Sequence, residues 1–115
     1  GHLMEMCRGA NLSAILDTAA IPELPGLDDY IAQGCVPGGT QRNFDALENR
    51  LPTLTLREFA VLCDPQTSGG LLMAVSPDAL GDVQKLLIKD ALPSAVLGSL
   101  APKNSGGSMI RLQAE

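Results

Sequence analysis

Two short segments of the chain carry residue types that handle anions. The first is Gly38-Gly39-Thr40-Gln41-Arg42-Asn43. Paired glycines ahead of a helix leave backbone N–H groups free to converge on a negative charge, and the helix dipole adds to the attraction. Arg42 brings a planar guanidinium that can grip a phosphate through two parallel hydrogen bonds. The second segment is Asp64-Pro65-Gln66-Thr67-Ser68-Gly69-Gly70. Asp-Pro starts a turn, Thr67 and Ser68 supply hydroxyls, and Gly69-Gly70 let a ligand or another backbone come close. Neither segment matches a P-loop or a dinucleotide fingerprint. Each also reads as a plain connection: a capped helix start in the first case, a tight turn before a buried strand in the second. Residue types alone leave both readings open at both places.

No other group of residues assembles into a reactive centre. Cys7, Cys35 and Cys63 are odd in number and far apart, and His2 is the single histidine, so no zinc quartet can be built. Reduced thiols are expected, with Cys63 buried at the end of an apolar helix. Asp28 and Asp29 suit the first turn of a helix better than a metal. No nucleophile–base set and no metal-binding set is nominated.

Stepping along the chain shows which elements must hold the two segments. Residues 2–8 predict a helix ended by Gly9, with no cap before it, and a natural N-terminus upstream is expected. Residues 13–17 alternate as a short strand. Residues 27–33 predict a helix with Gly34 just past its end. Thr40 is placed to cap a helix running through Phe44 and Leu47. Thr55 and Glu58 form a capping box, flanked by Leu54 and Phe59 at staple positions, for a helix from Leu56 to about Leu62. The apolar run Leu71-Leu72-Met73-Ala74-Val75 predicts a buried strand. Ser76-Pro77 reads as the cap and first turn of a helix to Lys89. Residues 95–100 and 108–112 read as two strands of a hairpin. The mixture predicts an α+β fold, a mixed sheet covered by helices.

Length and composition set the bounds. The chain has 115 residues, enough for one domain and one core. Aromatic residues make up 3%, so Leu, Ile, Val, Ala and Met must fill that core. Net charge is −5 with scattered basic residues, which argues against a nucleic-acid groove. No apolar run is long enough to span a membrane. A cytoplasmic protein is expected.

Four ordered motifs resemble those of selenophosphate synthetases. Asp64-Pro65-Gln66-Thr67-Ser68-Gly69-Gly70, between Leu62-Cys63 and Leu71-Leu72, looks like the hallmark stretch of that family. Gly1-His2-Leu3-Met4-Glu5-Met6 resembles the end of its Gly-Phe-Gly-Leu-Leu-Gly-His helix segment. Ala20-Ile21-Pro22-Glu23-Leu24-Pro25-Gly26 resembles its Ile-Pro-x-Leu-Pro-Gly turn. Gly34-Cys35-Val36-Pro37-Gly38-Gly39-Thr40-Gln41-Arg42-Asn43 resembles its Val-Pro-Gly-Gly-Thr-x-Arg-Asn loop. The likeness runs from Gly1 to about Met109.

The resemblance implies a share in making selenophosphate, orthophosphate and AMP from ATP, selenide and water, with ATP and Mg²⁺ as ligands of the full enzyme. It implies the C-terminal domain of the aminoimidazole ribonucleotide synthetase superfamily, loosely ferredoxin-like and lacking its opening strand and helix. Residues 1–115 would form one incomplete domain of a two-domain, homodimeric enzyme. The family's reactive Cys or Sec, its lysine and its metal-binding aspartates have no counterparts here, so no turnover is expected from this chain alone. Gly38, Gly39, Thr40 and Asn43, with Thr67, Ser68, Gly69 and Gly70, are the candidates to face nucleotide or anion. The own N-terminal domain is the expected partner, and an unpaired sheet edge predicts self-association without it. Another ATP-using member of the superfamily and a non-catalytic anion-binding module are the competing readings. The Asp64–Gly70 stretch speaks against the first and the uncapped helical start against the second.

Overall fold

The computed structural model describes residues 1–47, 50–103 and 107–113. Its elements are α1 (His2–Ala10), β1 (Leu12–Leu16), α2 (Leu27–Ala32), α3 (Gly38–Asp45), α4 (Leu56–Leu62), α5 (Leu80–Lys89), β2 (Gly98–Pro102) and β3 (Ile110–Leu112). This is an α+β fold around a small mixed sheet. Among the described residues no helix is long and apolar enough to cross a membrane.

The core forms where α1 meets the sheet. Met4 and Cys7, three apart and so on one helix face, are buried with Ala14 of β1 and Ile110 of β3. Leu3, Leu16, Leu47, Leu51 and Met109 close the margin. Burying a side chain such as Met4 contributes roughly 1.5–3 kcal/mol. The helix does not stop at Gly9. It continues to Ala10, because Asn11 takes the left-handed conformation (φ 56°) and its N–H caps the last turn on Arg8 and Cys7. Asparagine tolerates that conformation almost as glycine does.

Strand order is β2-β1-β3, with β1 antiparallel to β2 and parallel to β3. The expected hairpin between the last two strands is therefore absent. β1 carries the buried pair Ser13 and Ala14, and each later strand packs on one side of it instead of on the other. Residues 104–106 of their connection lie outside the described residues. The ladder begins with Ala14 N–H donating to Met109 O (2.9 Å) and ends with Gln113 N–H donating to Leu16 O (2.8 Å). Ser108 Oγ lies 2.7 Å from both Arg50 O and Ile110 O, which share its one proton, and so ties the turn before α4 to the start of β3.

The capping box forms as expected. Thr55 N–H donates to Glu58 Oε2 (2.6 Å), and Glu58 N–H donates to Thr55 Oγ1 (3.2 Å). Leu54 and Phe59 line one shallow cleft of about 600 Å³. α4 is also clamped to the α2 region. Arg57 donates through Nε to Asp28 (2.7 Å) and through Nη2 to Glu23 (2.6 Å). Asp28 thus serves an ion pair as well as the first turn of α2. Arg57 is nearly half exposed, so solvent screens both pairs and the clamp orients more than it stabilises.

Two further expectations fail. Ser76 does not cap α5. Its hydroxyl bonds the Asp78 carboxylate, which is held below the usual carboxylate range by that bond and by backbone N–H groups. A turn closes instead through Ala79 N–H and Ser76 O (3.0 Å), and the helix starts at Leu80. Residues 71–75 form no strand. No backbone hydrogen bond joins them to another element among the described residues, and Leu71 is 89% exposed. Composition favours pairing there, yet the sheet stays at three strands and the run joins neither of its edges. α5 likewise buries no residue, and Leu86 and Ile88 stay exposed.

Glycine substitutions separate the tight sheet from this open arm. A Cβ on Gly98 (φ 155°) would lie 2.0 Å from Ile15 O, whereas one on Gly81 meets nothing within 4 Å. Gly98→Ala is expected to cost ~2 kcal/mol or more, and Gly81→Ala to stabilise by up to ~1 kcal/mol. Urea unfolding midpoints of the two variants measure both.

Candidate functional site

The two glycine-bearing segments meet. Gly38 and Gly39 are the first turn of α3 itself, with Pro37 at the N-cap, so Thr40 lies inside the helix and does not cap it. Proline before Gly38 has fixed φ, and the helix starts three residues earlier than a threonine cap would set it. The residues Gly39, Thr40, Asn43 and Phe44 share one face at helical spacing. That face lies on α4 and the turn after it. Phe44 and Phe59 pack edge to face with ring centroids 5.4 Å apart. A Cβ on Gly39 would sit 2.9 Å from Pro65 Cγ and 3.0 Å from its Cβ. Glycine at 39 is thus what lets the ring of Pro65 reach the helix backbone.

Asn43 Nδ2 donates to Cys63 O at 2.9 Å. Cys63 is the C-cap of α4 and buried, and burial pushes its thiol up, against a smaller opposing pull from the charge on the Gly1 amino group. Cys7 is buried and shifted the same way by burial, whereas Cys35 is exposed. Beyond Cys63 the turn is held locally. Gln66 N–H donates to Asp64 O (2.9 Å), its side-chain amide donates to the Asp64 carboxylate, and Gly69 lies against the Gln66 side chain. Gly70 adopts φ 82°, which glycine reaches without strain.

The open side of this junction is rich in donors. The amides of Gly38 and Gly39 precede any i−4 partner within α3, while Thr40 N–H bonds Pro37 O (3.0 Å). Arg42 folds back along the first turn, its Nη2 3.7 Å from the Cβ position of Gly39. It makes no ion pair among the described residues. Thr67 and Ser68 are exposed, and their hydroxyls bond nothing among the described residues. Two residues of chain reach at most ~7 Å, so Thr67 stays near the Gly39–Pro65 contact. Amides, a guanidinium and hydroxyls, groups of the kind that bind anions, thus lie in the two segments that meet here. Among the described residues no three His, Cys, Asp or Glu side chains group to hold a metal. His2 is exposed.

Thr40 is different. It is fully buried and its Oγ1 has no hydrogen-bond partner among the described residues. The spacing of 39, 40, 43 and 44 was the signal for this packing face. Nothing in the sequence pointed to Cys63 O as the acceptor for Asn43, or to Arg57 as the clamp on Glu23 and Asp28.

Comparison with known proteins bears on what this junction belongs to. A selenide, water dikinase of Shewanella sp. (strain ANA-3) is 49% identical over 110 residues, covering 96% of this chain and 31% of its own. That of Yersinia pestis is 46% identical over 112 residues, 97% of this chain and 32% of its own. That of Haemophilus influenzae is 43% identical over 113 residues, 98% of this chain and 33% of its own. Over the part it spans, this chain belongs to the selenide, water dikinase family. The chain spans about a third of the length of these curated relatives. No family model and no solved structure matches it.

The unpaired hydroxyl gives a direct check. Thr40→Val keeps the shape and removes a polar atom whose unsatisfied burial costs ~1–3 kcal/mol. The variant is expected to unfold at the same urea concentration as the parent chain or a higher one. A loss of more than ~1 kcal/mol would reveal a bonding partner for Oγ1.

Proposed function

We propose that this chain is the C-terminal part of an enzyme that forms selenophosphate from selenide, water and ATP, and that the α3–turn junction faces the anionic reactant there. The family membership carries the reaction, and the donor-rich side of the junction carries the placement. In this reading the amides of Gly38 and Gly39, the guanidinium of Arg42 and the hydroxyls of Thr67 and Ser68 meet phosphate oxygens. Gly69 and Gly70 give the turn its close approach, and Thr40 and Asn43 hold the junction from its packed side. Phosphoryl transfer depends on fixed positive groups around developing negative charge, and a dipole end with a guanidinium is such a group.

The Mg²⁺ and the covalent chemistry belong to the longer polypeptide. Among the described residues no three acidic, His or Cys side chains group to hold a divalent ion. On this reading residues 1–115 alone neither hydrolyse ATP nor form selenophosphate. The exposed apolar arm, with Leu71, Leu72, Met73, Leu86 and Ile88, is then covered by the rest of the enzyme. Without that cover the chain should self-associate, since such a surface is large for a monomer. The compartment proposed for the enzyme is the cytoplasm.

One experiment tests the placement. In the full-length enzyme, Thr67→Ala with Ser68→Ala should lower ATP affinity or selenophosphate formation at least tenfold, with an unchanged melting temperature. Unchanged turnover and affinity would remove the junction from the site. Light scattering on residues 1–115 alone checks the cover: concentration-dependent association is expected, and a strict monomer contradicts it.

A further inference from the structure

α4 ends at Cys63, and a helix leaves its last carbonyls without intrahelical partners. The Cys63 carbonyl is filled from another helix, by Asn43 Nδ2 at 2.9 Å. Two residues on, the Pro65 ring fills the space above Gly39. Gly39 and Asn43 are four apart, one turn of the same helix face. The chain leaving α4 is therefore fixed at two points by α3, while Thr67 and Ser68 beyond them have no hydrogen bond of their own among the described residues. Whatever direction the turn takes is set before those hydroxyls are reached.

We propose that Asn43 is a positioning residue that aims the 64–70 turn at the N-terminus of α3. It acts by donating to Cys63 O and does not touch the reactant. The amide suits the task because it is a neutral donor. A carboxylate at the same place would point an acceptor at an acceptor and lose the bond. The functional consequence rests on the reading of the junction given above, whereas the latch itself rests only on the contacts.

The test uses the full-length enzyme with Asn43→Asp and Asn43→Gln, the second keeping the donor on a longer stem. Cys63 and Cys7 are both buried and sit in different clusters, so their alkylation rates by iodoacetamide separate local from global opening. In Asn43→Asp, Cys63 should react at least tenfold faster with Cys7 within twofold of the parent. Asn43→Gln should recover most of the protection. Selenophosphate turnover should fall at least tenfold in the first variant and return with the second. Equal acceleration of both thiols would mean general destabilisation and overturn the proposal. Lost turnover with Cys63 still protected would make Asn43 a reactant contact and also overturn it. An open Cys63 with full turnover would keep the latch and sink the placement of the reactant at this junction. If Asn43→Asp does not fold, Asn43→Ala removes the donor without a charge and is read by the same outcomes.

Discussion

The ring of Pro65 occupies the volume that a side chain at residue 39 would take. Much of the candidate site follows from that one steric fact. With any larger residue at 39, the ring and helix would part by a few tenths of an ångström at least. Asn43, one turn on, would then lose its reach to Cys63 O, since hydrogen bonds weaken quickly beyond ~3.2 Å. The edge-to-face packing of Phe44 on Phe59 continues the same contact along α3 and α4. Backbone donors at the start of α3 and hydroxyls of the turn are brought near each other by packing, with no covalent link between the segments.

The rest of the molecule divides by how well it is packed. α1, β1 and β3 share a small closed core, and the Arg57 clamp joins α4 to the α2 region. The arm from Leu71 through α5 buries almost nothing and presents large apolar side chains to solvent. The chain thus has one packed half and one open half, and it spans about a third of its relatives' length. The junction sits at the boundary between the halves, as Cys63 is buried while Thr67 and Ser68 are not.

Local chemistry was readable where it is self-contained. The capping box of Thr55 and Glu58 needs only four consecutive residues, and it formed as read. The β1 strand and α2 were legible for the same reason, within a residue of their ends. What escaped were choices made by distant partners. Asn11 outcompeted Gly9 for the helix end, and Ser76 spent its hydroxyl on Asp78 instead of on α5. The last two strands took opposite sides of β1, a decision that no turn signal between them could reveal. The apolar run at 71–75 has strand composition, yet among the described residues it pairs with neither edge of the three-stranded sheet. For the site, both segments were visible as glycine-bearing turns, yet their meeting was not. The Gly39–Pro65 and Asn43–Cys63 pairs lie twenty or more residues apart in sequence, beyond the reach of any spacing rule.

The claim that the two segments form one unit is tested most directly by a double-mutant cycle between Gly39→Ala and Pro65→Ala, read by urea unfolding. Overpacking costs ~1–3 kcal/mol, and removing the ring should relieve it. The account predicts that Gly39→Ala is destabilising in the parent and close to neutral beside Pro65→Ala, a coupling of at least ~1 kcal/mol. Effects that simply add would mean the segments do not touch, and the junction would have to be abandoned as a site.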